Sequence, residues 1–368
     1  MRKRWMGVGV LAAAVSAVVV TAGSATAAPK LTNISIQLQW VPQAQFAGYY
    51  AALDLGYYKA AGLNVKLLNG GPQIVPGQVV ASGRAQFGVN WLTALLAARD
   101  QGTDLVDIAQ VFSRSGMTEL TWKSSGITSI AGMRNHTVGV WCCGNQFELY
   151  AALTKHGMDP EKQQGVKIFN QPFTMTDFLS HRIDAAAAMT YNELAQVLES
   201  KNPKTGKLYT MKDLNVFPLQ KEGTSMLEDG LFSQEKWVSG HRDVTMRFIA
   251  ASDRGWIYCR DHVQQCTNIV LQNGTALPGG HQLWEMNEIN KLVWPNTLGI
   301  GIMDPAAFKR TAAIALKYKV IKKAQNASAY DAALPKAALQ YLQNHVKGID
   351  IHGTAYRPIT VTLKAGGK

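Results

Sequence analysis

Four cysteines in 368 residues are too few for a disulfide-framework domain. No C-x-x-C pair or histidine at ligand spacing accompanies them, so a zinc site is not supported. After residue 20 no apolar, charge-free run approaches the ~20 residues that a membrane-spanning helix needs. Basic residues form no stripe interleaved with aromatics, and Lys322-Lys323 is the densest pair beyond the first residues; nucleic-acid binding is not expected. There is no G-x-S-x-G, the eight histidines have no evident nucleophile partner, and Asp177, Asp184 and Glu193 form no acid pair. A hydrolase reading therefore lacks its parts. Residues 39–45 are not a dinucleotide-binding glycine fingerprint, and no repeat of solenoid length is visible.

What is present begins with compartment. Arg2, Lys3 and Arg4 precede an apolar run over 7–20, and Ala25-Thr26-Ala27 is a small-x-small cleavage site. This pattern reads as a signal peptide over 1–27. With no cysteine near the cleavage site, a lipid anchor is not expected, and the mature chain is placed free in the periplasm. The formal charge falls from +12 to +9 when the three basic leader residues are removed. Such an excess serves solubility or attraction to an acidic surface and does not by itself imply an anionic ligand. At 47% hydrophobic and 17% charged, the composition is globular and long enough for two domains.

Cys259 and Cys266 flank a short polar turn, and an oxidising compartment predicts their disulfide. The bond requires a helix break, because one continuous helix would hold the two Cα atoms ~10 Å apart. The adjacent Cys142 and Cys143 are compatible with a strained ring, two buried thiols or a pocket wall.

Residues 34–40, ISIQLQW, alternate as a strand, and further strands are expected at 65–68, 87–89 and 105–112, separated by helices at 44–55, 75–82 and 93–101. Residues 115–123 read as an extended exit from this unit. A second series follows: strands at 137–140, 166–169, 185–189 and 216–219 with helices at 145–156, 175–179 and 193–200. From about Gly223 the chain is expected to return and become helical, at 244–258, 284–291 and 305–318. The fold class is α/β: two lobes with mostly parallel sheets flanked by helices, divided as 28–120, 121–222 and 223–368, with two hinge crossings. Ligands of such folds bind at strand carboxyl ends and between domains.

Gln39-Trp40-Val41-Pro42, Phe46-Ala47-Gly48-Tyr49-Tyr50, Leu55-Gly56-Tyr57-Tyr58 and Gly62-Leu63-Asn64-Val65 resemble the opening of type II periplasmic solute-binding proteins of ABC importers. The similar branch contains the formylaminopyrimidine-binding protein and the fungal thiamine-pyrimidine synthase. Ala81-Ser82-Gly83-Arg84-Ala85-Gln86-Phe87-Gly88 is similar to a family turn, with Gln86 where an acid is usual. Gly139-Val140-Trp141, Gly144-Asn145-Gln146-Phe147-Glu148, Arg182-Ile183-Asp184-Ala185 and Met189-Thr190-Tyr191-Asn192-Glu193 continue the likeness over nearly the whole mature chain. It implies the type II periplasmic-binding-protein fold, a small-molecule ligand, membrane permease subunits as partners, and a monomer.

The enzyme branch carries a Schiff-base lysine at the Asn90 position and a donor histidine at the Ala94 position. An asparagine amide forms no Schiff base and alanine has no donor nitrogen. The cysteine-rich loop of that branch also has no counterpart in 223–230. The resemblance therefore implies binding without catalysis and no cofactor. A thiamine pyrimidine precursor is the first expected ligand; riboflavin or another flavin, and nitrate or a sulfonate, are the alternatives.

A planar heteroaromatic ring needs flat faces and a few fixed polar groups. Trp40, Trp91, Trp141 and Tyr191 each follow a strand end, two per lobe, and are the expected clamp. Tyr49 is a further candidate on the first helix, where packing onto the sheet competes. Gln43, Gln45, Asn90, Asn145, Asn192 and Glu193 are the expected polar readers, since amides both donate and accept. Asn145 and Glu148 also have the spacing of a capping box, so Glu148 is expected to be structural. Asp229 ranks last, as a cleft residue or a turn cap.

Overall fold

The computed structural model describes Met1, residues 31–142 and residues 144–368. The expected signal peptide lies outside the described residues, as does Cys143 of the vicinal pair. None of the described cysteines is free. No helix among the described residues is long and apolar enough to cross a membrane.

The chain forms β1 (Thr32–Gln37), α1 (Ala47–Asp54), α2 (Tyr57–Ala60), β2 (Leu63–Leu68), α3 (Pro76–Ala81), β3 (Phe87–Trp91), α4 (Leu92–Asp100) and β4 (Val106–Gln110). It crosses into β5 (Met117–Trp122), β6 (Thr137–Val140), α5 (Phe147–Lys155), β7 (Lys167–Asn170), α6 (Thr176–Leu179), β8 (Ala185–Met189), α7 (Glu193–Leu198), β9 (Leu214–Pro218) and α8 (Leu219–Glu222). It returns as β10 (Asp229–Ser233), α9 (Glu235–Gly240), α10 (Arg242–Asp261), α11 (Val263–Gln272), α12 (Gly279–Val293), α13 (Pro305–Lys317) and α14 (Leu334–His345). Two five-stranded sheets result, ordered β2-β1-β3-β10-β4 and β7-β6-β8-β5-β9. In each, one antiparallel strand is inserted among parallel ones: β10 between β3 and β4, and β5 between β8 and β9. The sheets are thus mixed though mainly parallel.

The inserted strands depart from the expectation. Residues 115–123 are no mere exit, since β5 pairs over five residues with both neighbours. The returning chain is not helical from the start, since β10 completes the first sheet before α9. Asp-Gly-Leu-Phe-Ser has weak strand propensity alone. It is held because Leu231 and Phe232 are buried on opposite faces of a sheet already made. The same tertiary override explains β8, four alanines and a methionine, all buried. Small side chains there let helices approach a central strand from both faces.

One apolar core runs beneath both sheets, from Ile34 and Ile36 through Phe112 to Val138 and Ala187. Separate clusters lie under α3, α4 and α13 and under α6 and α7. Cys259 and Cys266 are bonded, with Cα atoms 5.1 Å apart. His262, with φ −133° and ψ 57°, breaks the helix between α10 and α11. That break brings the two cysteines together, where an unbroken helix would not.

Candidate functional site

Four parallel strands deliver their aromatic ends to one gap between the sheets. Trp40 follows β1, Trp91 ends β3, Trp141 follows β6, and Tyr191 follows β8. With Gln39, Gln43, Gln45, Asn145, Met189, Asn192 and Glu193 they line a cleft. The placement obeys a general property of parallel α/β sheets, whose carboxyl edges carry the loops and leave the crevice. Trp40 leans on Phe173, with ring centroids 6.3 Å apart, and Tyr191 meets Phe112 edge-on at 6.5 Å.

Amides join the two sheets across the cleft. Gln39 Nε2 donates to Asn145 Oδ1 at 2.6 Å, and Asn192 Nδ2 donates to Gln43 Oε1 at 3.0 Å. Gln43 Nε2 then donates to Gln45 Oε1 at 2.8 Å, and Gln45 Nε2 to Asp229 Oδ2 at 2.8 Å. The first loop is pinned from below, its Ala44 and Gln45 N–H groups donating to Gln282 Oε1 and Glu285 Oε1 of α12. This fixes Gln43 and Gln45 as rigid readers. Among the described residues, Gln39 Oε1 and Trp141 Nε1 are buried at the cleft without a hydrogen-bond partner. One accepts and the other donates, so a ligand edge with both capacities would satisfy the pair.

Beneath the rings lie acids without cations. Burial pushes the Glu193 carboxyl up to about 8, against the N–H of Met189, whose hydrogen bond favours the ionised form. Burial likewise raises Asp229 to about 7, partly offset by its bond from Gln45. Burial raises the Glu285 carboxyl as well. No lysine or arginine lines the cleft among the described residues. At neutral pH the Glu193 carboxyl is therefore largely protonated, with a hydrogen to donate, while Asp229 stands near its midpoint. Among the described residues, no group of three or more histidine, cysteine and acidic side chains is placed to hold a metal ion.

Of the residues singled out from sequence, Trp40, Gln43, Gln45, Trp91, Trp141, Asn145, Tyr191, Asn192 and Glu193 come together here. Tyr49 does not. It is 1% exposed and meets Trp256 of α10 edge-on at 5.7 Å, a core position. Asn90 also does not line this cleft. Its neighbour Trp91 does, and successive strand residues face opposite ways. Asn145 is no helix cap: α5 begins at Phe147 after Gln146, without a side-chain cap. The capping-box reading of Glu148 therefore fails. Its carboxyl instead accepts from Ser115 Oγ and the Met226 N–H, tying α5 to both crossings. Asp229, ranked last, sits fully buried beneath Gln45.

Gln39, Met189, Glu285 and His281 were missed. A signal existed for Glu285: with Gln282 it shares a helix face with Met286 and Ile289, and polar residues on an apolar face need a buried partner. His281 is fully buried, with Nδ1 2.9 Å from Glu199 Oε2 and Nε2 3.2 Å from Asn192 Oδ1.

The NMT1/THI5-like family matches residues 43–266. The riboflavin-binding protein RibY of Chloroflexus aurantiacus is 25% identical over 297 residues, covering 77% of this chain and 80% of that protein. The formylaminopyrimidine-binding protein of Halalkalibacterium halodurans is 23% identical over 247 residues, covering 66% and 71%. Among solved structures, the ligand-binding component of an ABC-type import system from Staphylococcus aureus superimposes with a TM-score of 0.63 at 11% identity, covering 83% of this chain and 99% of that one. The fold is that of two-lobed periplasmic binding proteins.

Proposed function

Because the chain belongs to the NMT1/THI5-like family, we propose that it is the exported substrate-binding component of an ABC importer, closing two lobes on a small heteroaromatic solute. A thiamine pyrimidine precursor is the first ligand assigned. The carrying observation is the cleft itself: three tryptophans and a tyrosine at facing strand ends, read by fixed amides over a protonated carboxyl. Flat faces take a ring, and adjacent donors and acceptors take the edge of an aminopyrimidine.

Riboflavin is the second reading, supported by the extent of the likeness to RibY. Nitrate and sulfonates are disfavoured, since an anion in this cleft would meet carboxyls and no cation. A pyridoxal-dependent synthase is disfavoured by Asn90 and Ala94. The chain is assigned to the periplasm as a monomer without a resident cofactor, delivering its solute to membrane permease subunits.

Capture is a population shift from an open to a closed arrangement about the two crossings. Tryptophan fluorescence and calorimetry of the purified protein test it, using 4-amino-5-hydroxymethyl-2-methylpyrimidine, riboflavin, an alkanesulfonate and nitrate. Saturable binding of a ring compound is expected. Binding of the sulfonate or nitrate with neither ring bound would overturn the reading.

A further inference from the structure

We infer that residues 359–367 are a strap that clasps the two lobes together and slows release of the bound solute. The inference rests on the two-lobed capture proposed above and adds to it a third bridge besides the two crossings.

The strap sets out from the first lobe. The Ile359 N–H donates to Asn287 Oδ1 at 2.9 Å, and the Tyr356 hydroxyl donates to the Asn287 carbonyl oxygen at 3.4 Å, fastening this end to α12. Ile359-Thr360-Val361-Thr362-Leu363 alternates as a strand would, yet it joins neither sheet. Val361 and Leu363 are half-buried while Thr360 and Thr362 are exposed, so one edge of the extended segment lies against the protein. The far end belongs to the second lobe. Leu363 packs on the cluster that holds Leu120, Trp122 and Phe178, and the Gly366 N–H donates to the Glu199 carbonyl oxygen at 3.0 Å.

The fit at this end is close. Gly367 is buried with φ +71°, and a Cβ on it would stand 2.9 Å from the His281 Cβ and 3.1 Å from Glu199 Oε2. A Cβ on Gly280 would stand 2.8 Å from the Gly367 carbonyl oxygen. Two glycines therefore let the strap lie between the first turn of α12, from the first lobe, and the end of α7, from the second.

What the strap covers is linked to the cleft. His281 lies directly beneath Gly367 and meets Glu199 and Asn192, and Asn192 donates to Gln43 at the cleft. One turn along α12, Trp284 Nε1 donates to the Thr190 carbonyl oxygen at 3.0 Å. All of these join one lobe to the other. The strap keeps water from the His281 contacts, which strengthens them. Lobe opening draws α12 away from α7, so it must peel the strap from one of the two.

Two variants test the clasp. Leu363→Asp sets a charge in the apolar contact with the second lobe, and Gly280→Val wedges the strap off α12. Neither residue lines the cleft. Stopped-flow tryptophan fluorescence follows association and release of riboflavin and of 4-amino-5-hydroxymethyl-2-methylpyrimidine. For whichever compound binds, Leu363→Asp should quicken release about five- to tenfold, as loss of a half-buried leucine contact implies. Association should change by less than about twofold, because the readers in the open cleft are untouched. Gly280→Val should act in the same direction, and it carries the test alone if circular dichroism shows Leu363→Asp unfolded. Unchanged release, or slowed association in its place, overturns the strap and leaves the ring-binding reading standing. If neither compound binds, the ring-binding reading falls and small-angle X-ray scattering of the ligand-free proteins decides the strap. A larger radius of gyration in the variants then supports it, and an unchanged one overturns it.

Discussion

Replacing Glu193 by glutamine exposes the electrostatics of the cleft most directly. Glutamine copies the shape of the protonated carboxyl and cannot ionise. In the folded protein burial raises this carboxyl from 4.5 to about 8. Ionising it in place therefore costs about 5 kcal/mol relative to water, at 1.36 kcal/mol per unit. In the unfolded chain it loses its proton near pH 4.5. Its protonated form thus carries no penalty below that value. Stability falls as pH rises through the window up to about 8, and is level above it. Within the window unfolding releases one proton, so wild-type stability should drop by about 1.4 kcal/mol per pH unit on account of this group alone.

Between pH 5 and pH 7 the accumulated difference from Glu193→Gln is about 2.7 kcal/mol. For a chain this long that corresponds to roughly 4 °C in unfolding midpoint. Asp229 and Glu148, raised by burial to about 7 and about 8, keep their own slopes in both proteins. The difference between the two curves therefore reports Glu193 together with the repulsion its charge exerts on Glu285. Thermal and urea unfolding at half-unit steps from pH 5 to 8 measure it. The wild type should lose ground to the variant steadily as pH rises. Parallel curves would refute the argument, because they would mean that Glu193 is already ionised in the folded protein.

Trp141→Ala should weaken ring binding by roughly 10- to 100-fold in calorimetry, and Trp141→Phe much less, because the face is kept. His281→Ala leaves the Glu199 and Asn192 oxygens that flank α7 without their partner from α12. It should cost about 1–3 kcal/mol in urea unfolding and quicken ligand release in stopped-flow fluorescence. The pair Cys259→Ser and Cys266→Ser opens a loop of sequence separation 7. Its loss should cost about 2–3 kcal/mol, and a reductant should lower the wild-type midpoint by a similar few degrees.

The aromatic wall of the cleft is legible in the chain itself because two local rules suffice. Alternation locates β1, the strand–helix order of the chain locates β3, β6 and β8, and the carboxyl-edge rule points to Trp40, Trp91, Trp141 and Tyr191. The helix break at His262 is a condition for the Cys259–Cys266 bond that spacing can state but not establish. Tyr49 shows where periodicity stops. Its place on α1 does not reveal that Trp256, more than two hundred residues later, covers it. Asn90 and Trp91 are neighbours in sequence, yet a strand sends them to different spaces.

The acids beneath the cleft are the same case in electrostatic form. Asp229 is held by Gln45, Glu285 by the N–H of Gln45, and Glu148 by both crossings. Strand and helix periods and the likeness to a family were determined by the sequence itself, because each depends on residues close together in the chain. Which side chains face one another, which carboxyls keep their protons and how far the cleft extends were decided by tertiary structure, because burial and hydrogen-bond partners come from segments that meet only on folding.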